Sequence, residues 1–129
     1  MRRTLVTLLS GCALLTMLTG CQSTVWSNEG ETFYRLERHL NSWQALVQAS
    51  VPEVHDAVLA GLDDLNMTPI TVEVDKVSGL VDGMFADGMD YEIKYEAVAP
   101  KLTRVSIRCG LIGDKERATM LFRNIERNL

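Results

Sequence analysis

Two histidines, His39 and His55, are all the imidazole the chain carries, and neither belongs to a His/Cys/carboxylate cluster at metal-ligand spacing. A Gly-x-Ser-x-Gly elbow, a glycine-rich phosphate loop and a His-Glu-x-x-His helix are all missing. The sequence therefore offers no activated serine, no phosphate cradle and no zinc-protease site, and it calls for no cofactor. No apolar run reaches the ~20 residues that cross a bilayer as a helix. Basic charge is short as well: 13 Lys and Arg stand against 17 Asp and Glu, a formal charge of −4, which suits a phosphate backbone poorly and excludes nucleic acid as an expected partner. Cysteine is the most informative scarcity. There are three, Cys12, Cys21 and Cys109, and their positions assign them to different fates.

What the chain does have begins at its N-terminus. Met1-Arg2-Arg3 is cationic, and Thr4 to Met17 is almost wholly apolar or small, the length of the apolar region of an export signal. Leu18-Thr19-Gly20-Cys21 closes it as a lipobox. The thiol of Cys21 is the nucleophile that takes a diacylglycerol, and the small Thr19 and Gly20 leave the bond before Cys21 open to the peptidase. Leu9-Ser10-Gly11-Cys12 has the same form but leaves only about six apolar residues before the cut, fewer than the ~7–15 expected, so Cys21 is the preferred site. Residues 1–20 are then a signal peptide, and Cys21, acylated with palmitate among its chains, is a membrane anchor. Two or more acyl chains hold a protein stably without a polybasic patch. Gln22, where an Asp would signal retention at the inner membrane, points to the outer membrane of a Gram-negative envelope, facing the periplasm. Loss of residues 1–20 leaves 109 residues, enough for one domain, and moves the charge from −4 to −6. It also leaves Cys109 as the single thiol, so no intrachain disulfide is available and the fold relies on its core. Cys109 alternates with Val105 and Ile107, which favours a packed, inert thiol over a reactive one.

Residues 21–31 read as a flexible tether and 32–129 as one domain. Thr32 to Arg38 and Trp43 to Ala49, with a turn at Asn41-Ser42, fit a hairpin; a helix over 31–48 is the competing reading. Ser50-Val51-Pro52-Glu53 has the form of a capping box. Behind it, Val54, Ala57, Val58, Gly61, Leu62 and Leu65 form one helical stripe that Asn66 and Pro69 bring to an end. From Ile70 the period becomes two. Ile70, Val72 and Val74 share a face, and Ser78-Gly79 signals a turn. A strand over 80–86 leads to an Asp87-Gly88 hairpin turn, since Asp-Gly accepts positive φ. Met89, Tyr91, Ile93 and Tyr95 then face one way, and after a turn at Ala99-Pro100-Lys101, Val105, Ile107 and Cys109 do the same. Asp114 is a good N-cap for a last helix with Ala118, Leu121, Phe122, Ile125 and Leu129 in its stripe. One-sided helices and one-sided antiparallel strands predict a two-layer α+β domain, an antiparallel β-sheet with two amphipathic helices packed on one face.

The block Thr103-Arg104-Val105-Ser106-Ile107-Arg108-Cys109-Gly110-Leu111-Ile112-Gly113-Asp114 resembles the C-terminal block of a family of small bacterial lipoproteins of unknown function, in which T-x-V-S-I-R-x-G-x-x-G-D precedes a closing helix. The helix at Pro52 to Asn66 and the Ala86-Asp87-Gly88 turn are similar too. The resemblance implies an envelope lipoprotein with a small α+β domain and no assigned activity. It also implies a plain apolar residue at the position of Cys109.

The functional expectation is a non-enzymatic module: held on the membrane through Cys21, it binds an envelope protein or serves as its accessory subunit. The sheet's polar face (Arg104, Arg108) or the loop Gly110, Gly113 and Asp114 forms the contact surface. Arg104 and Arg108 pair with Glu92 and Glu96 in a charge ladder or, alternatively, bind an anion. The runner-up is a small hydrolase-like enzyme using Asp87, Asp90 or His55 near the hairpin turns. Asp82, Asp87 and Asp90 cluster on one hairpin, but they lack the spacing of a calcium loop. Replacing Cys21 by Ala is expected to leave an uncleaved chain that incorporates no labelled palmitate, whereas Cys12→Ala leaves incorporation unchanged; label uptake and gel mobility read both.

Overall fold

The computed structural model describes residues 34–129 and, for the backbone alone, the short strands β1 (Ser27–Asn28) and β2 (Glu31–Thr32), which pair antiparallel. The expected signal peptide, Leu18, Thr19, Gly20 and Cys21 lie outside the described residues, as does most of the expected tether.

The domain is a six-stranded antiparallel sheet covered on one face by two helices, a two-layer α+β fold that does not close into a barrel. In chain order the elements are β3 (Glu37–His39), β4 (Ser42–Val47), α1 (Val51–Asp64), β5 (Thr71–Val74), β6 (Ser78–Met84), β7 (Asp90–Ala99), β8 (Leu102–Cys109) and α2 (Lys115–Glu126). In space the strands run β3-β4-β8-β7-β6-β5. Consecutive hairpins build β5 to β8, and α1 carries the chain from β4 across the sheet to β5 at the far edge. It packs over β6 and β7 and against α2, which lies over β8.

The hairpin reading of the N-terminal region holds over helix, with β3 paired to β4 and Arg38 opposite Trp43, but its first strand is Glu37–His39 alone, and residues 34–36 of the expected Thr32–Arg38 strand are not in the sheet. Its turn sits one residue earlier than the Asn41-Ser42 signal, with Leu40 taking the positive φ of 55°. Helix α1 starts at the expected capping box. The Ser50 N–H donates to the Glu53 carboxylate at 2.7 Å, and the Ser50 hydroxyl donates to the same oxygen. The helix ends in a Schellman arrangement. Met67 N–H donates to Leu62 O and Asn66 N–H to Asp63 O, with Asn66 at φ 54°. The stripe read from the sequence is the buried one, joined by Val51 and with Leu65 at its margin.

Two glycines of β6 have a role that turn chemistry does not express. Ser78-Gly79 is strand, and the turn before it is made by Asp75, whose carboxylate accepts from the N–H groups of Val77 and Ser78. Gly79 lies opposite Tyr95 and Gly83 opposite Tyr91. A Cβ on Gly79 would stand 2.1 Å from the Tyr95 ring, and one on Gly83 2.5 Å from the Tyr91 hydroxyl. Each tyrosine of β7 thus lies across a glycine of β6, and aromatic area replaces the missing side chain in the core. The Asp87-Gly88 hairpin also differs from the two-residue turn expected. Gly88 N–H donates to Phe85 O, Phe85 N–H donates to Met89 O, and only Gly88 has positive φ. That is a three-residue loop, a tight turn followed by one left-handed residue.

The core is aliphatic with aromatic flanks: Val47, Val54, Val58, Leu62, Val81, Ile93, Val105, Ile107, Leu121, Phe122 and Ile125 are fully buried between the layers. Gly79→Ala is expected to destabilise the domain by about 1–3 kcal/mol, the usual cost of overpacking a close-packed core. Urea unfolding should show this as a lower midpoint with an unchanged slope.

Candidate functional site

Arg104 and Arg108 point from β8 to the face of the sheet that no helix covers. Register places Arg104 opposite Glu96 and Arg108 opposite Glu92 on β7. Arg104 meets Glu96 at 2.6 Å, Arg108 meets Asp90 at 3.3 Å and Glu92 at 3.9 Å, and Lys94 meets Glu92 at 3.1 Å. Each guanidinium therefore already faces carboxylate, the charge ladder read from the sequence. Such solvated pairs contribute roughly 0.2–1 kcal/mol apiece. A shallow groove of about 480 Å³ crosses this face, lined among others by Gln44, Glu73, Lys94, Arg104 and Ser106. Its charges are mixed, so it favours no single ion.

The loop from β8 to α2 is different. Asp114 caps α2, its carboxylate accepting from Arg117 N–H at 3.0 Å, which is worth about 0.5–2 kcal/mol. Gly113 has a packing role. It is buried at φ 76°, and a Cβ there would stand 2.2 Å from the carbonyl oxygen of Asn41, so the β8–α2 loop lies hard against the β3–β4 turn. Trp43 Nε1 donates to Gly113 O at 3.2 Å. Arg38 donates to Ile112 O at 3.3 Å and to Leu40 O at 3.1 Å. Arg38 and Lys115 both lie over the Trp43 ring, 5.9 and 5.3 Å from its centroid. Two loops far apart in sequence are thus bound into one tip. From it Leu40, Leu111 and Ile112 project with 81%, 86% and 82% of their surface exposed. The loop was legible as a contact candidate, but its aliphatic residues were not singled out. The available signal was two aliphatic residues between two glycines.

The residues of the enzyme reading are not brought together. His55 on α1 shares a short hydrogen bond between Nδ1 and the hydroxyl of Tyr95, whose own ionisation burial pushes up to about 12. Asp90 lies five residues before Tyr95 on β7, ~17 Å away at ~3.4 Å per residue. Asp87 accepts from both terminal nitrogens, Nη1 and Nη2, of the Arg117 guanidinium, which also stacks 4.7 Å over Phe85. Cys109 is fully buried, and burial, then Asp114, pushes its thiol up to about 12, so it is not a thiolate nucleophile at neutral pH. Tyr91 is buried too, and its hydroxyl has no hydrogen-bond partner among the described residues. Among those residues no group of three His, Cys, Asp or Glu can hold a metal ion, and no helix is long and apolar enough to cross a membrane.

Residues 3–128 match the model of a family described as a protein of unknown function, DUF3568. The chain belongs to this family. The matched span takes in the N-terminal apolar stretch together with the α+β domain. No curated protein matches the chain.

In this DUF3568 domain, three exposed carboxylates sit below their ordinary range. Glu53 falls from 4.5 to about 2 through the backbone N–H and hydroxyl of Ser50, and then Lys101. Asp87 is lowered further by Arg117 and the Met89 N–H, and Asp75 is lowered by the N–H groups of Val77 and Ser78. A depressed carboxylate contributes stability that is complete above its ordinary value and is lost as pH falls through its folded value. Urea midpoints are therefore expected to fall between about pH 5 and pH 2. Asp87→Asn should lower the midpoint at neutral pH and reduce the drop on acidification.

Proposed function

We propose that the protein is a lipid-anchored module of the bacterial envelope, without catalytic activity of its own, that binds a protein partner through the tip formed by Leu40, Leu111 and Ile112. One observation carries this reading. Three large aliphatic side chains stand more than four-fifths exposed on two loops that are rigidly joined. Scattered apolar side chains on a surface are ordinary, but a cluster held in place invites a partner. Leu40 takes a left-handed backbone conformation, which costs a leucine about 1–2 kcal/mol. Strain kept beside exposed apolar area is a feature of binding sites.

The position of the tip fits an anchor at Cys21. The chain enters the domain at Tyr34, whose N–H donates to Glu126 and whose hydroxyl accepts from the N–H of Gln48. Gln48 follows β4 and Asn41 precedes it, so the Tyr34 hydroxyl and the tip lie at opposite ends of a strand about 20 Å long. A domain tethered at one pole presents the other away from its own membrane. The partner surface that suits the tip is an apolar pocket with an acidic rim facing Arg38 and Lys115. The neutralised ladder of Arg104 and Arg108 is left as a solvated face, and the separation of His55 from Asp87 and Asp90 supports binding over hydrolysis.

A photo-crosslinking amino acid at position 111 of the full chain in cells is expected to yield a discrete protein adduct. The same group at Leu46 on the open face should not. Leu111→Asp with Ile112→Asp should abolish co-purification of that protein while shifting stability by no more than ~0.5 kcal/mol, as exposed positions allow. Adducts with lipid alone, or equal adducts from both positions, would count against the reading.

A further inference from the structure

The two edges of the sheet are unequal. Strand β3 is three residues long, and Glu37, Arg38 and His39 are all exposed. Short, charged edges resist pairing with another chain. Strand β5 has no such guard within Thr71–Val74. Its helix-side residues, Val72 and Val74, are 45% and 48% exposed, Ile70 just before the strand is 70% exposed with its N–H bonded inward to Asp82 O, and its only charge, Glu73, lies on the other face. The row continues the core. Val72 is opposite the fully buried Val81, itself opposite the fully buried Ile93, and Val74 is opposite Gly79, over which Tyr95 lies. Burial stops between β6 and β5, while the apolar ladder does not.

We propose that β5 is the interface of a symmetric dimer, in which it pairs antiparallel with β5 of a second copy and joins the two sheets into one. A two-fold axis demands a self-complementary strand, and the residues of β5 meet that demand in one register. Centred on Val72, the pairing sets Val72 against Val72 of the partner subunit, Ile70 against Val74 and Thr71 against Glu73. The apolar ladder then runs unbroken from Ile93 and Val81 of one copy into those of the other, and each Thr71 hydroxyl can donate to a carboxylate. Centred on Glu73, two carboxylates face each other directly, which is destabilising. Centred on Thr71, Glu73 faces Pro69 and its carboxylate loses the Thr71 hydroxyl as a donor. The charge pattern thus selects one register and a second copy of this chain as the occupant. The pairing is short, so the dimer is weak and concentration-dependent, below the ~1,200–2,000 Å² of a standard interface. It uses a different surface from the tip and does not depend on that reading.

The test uses the full chain in membranes. Under mild oxidation Val72→Cys is expected to form a disulfide-linked homodimer, because directly opposed Cβ atoms stand within reach of a disulfide. Glu73→Cys, on the other face and opposite Thr71, should crosslink at least about tenfold less. Sedimentation of the detergent-solubilised full chain over roughly 10 µM to 1 mM should show reversible dimerisation. Val72→Lys should weaken it at least about tenfold, and its unchanged thermal melt would show that folding is intact. The proposal is overturned if the chain stays monomeric over that range or Val72→Cys yields no homodimer. Equal crosslinking by Glu73→Cys, capture of a different protein by Val72→Cys, or Val72→Lys dimerising like the parent would overturn it as well.

Discussion

Six strands about 4.8 Å apart span roughly 24 Å between the outermost backbones, whereas two helices at about 10 Å each cover only some 20 Å. That mismatch governs the remainder of the domain. α1 and α2 pack against each other and centre on β6, β7 and β8, so the outer strands receive little cover. At the β4 edge the deficit is made up by Trp43, half-buried with two cationic side chains over its ring. On the β6 side, Tyr91 and Tyr95 reach across glycines to extend the covered area by one strand. Beyond them β5 is left with valines in the open.

The helices were legible because their signals are local. Ser50 and Glu53 lie three apart, Asp114 stands directly before its helix, and a stripe at period 3.6 needs no knowledge of what it packs on. The alternation of Tyr91, Ile93 and Tyr95 against Glu92, Lys94 and Glu96 likewise survived into β7. What failed were residues whose role depends on a partner strand. Gly79 reads as a turn because glycine permits positive φ, yet here it supplies empty space for Tyr95, and nothing near it in sequence says so. Ile70, Val72 and Val74 announce a face, but alternation cannot reveal that the helices stop short of it. Leu40 sits at a left-handed position where asparagine or glycine is the usual occupant, so its turn was placed a residue late.

The candidate site was legible in outline only. Gly110, Gly113 and Asp114 correctly marked a loop before a helix, but Gly113 and Asp114 turned out to be its scaffold, while Leu111 and Ile112 are its surface. Arg104 and Arg108 lie on the expected face beside Glu96 and Glu92, but the nearer carboxylate to Arg108 is Asp90, which the reading had not given it. The thiol of Cys109 followed its alternation into the core. In each case the chemistry of the residue type could be read along the chain, and its availability depended on what the fold brought opposite.

The crossover made by α1 has a kinetic consequence. Strands β5 to β8 are joined by short hairpins and can form as soon as they are made, but β4 finds its partner in β8, with Ala45 opposite Val105. Loop closure over such a separation is slow compared with hairpin formation. During synthesis β3 and β4 therefore emerge long before β8, the last strand of the chain, and β4 waits for it with one edge unpaired. The meander can nucleate by itself; the β3–β4 hairpin is the last piece of the six-stranded sheet to be locked in.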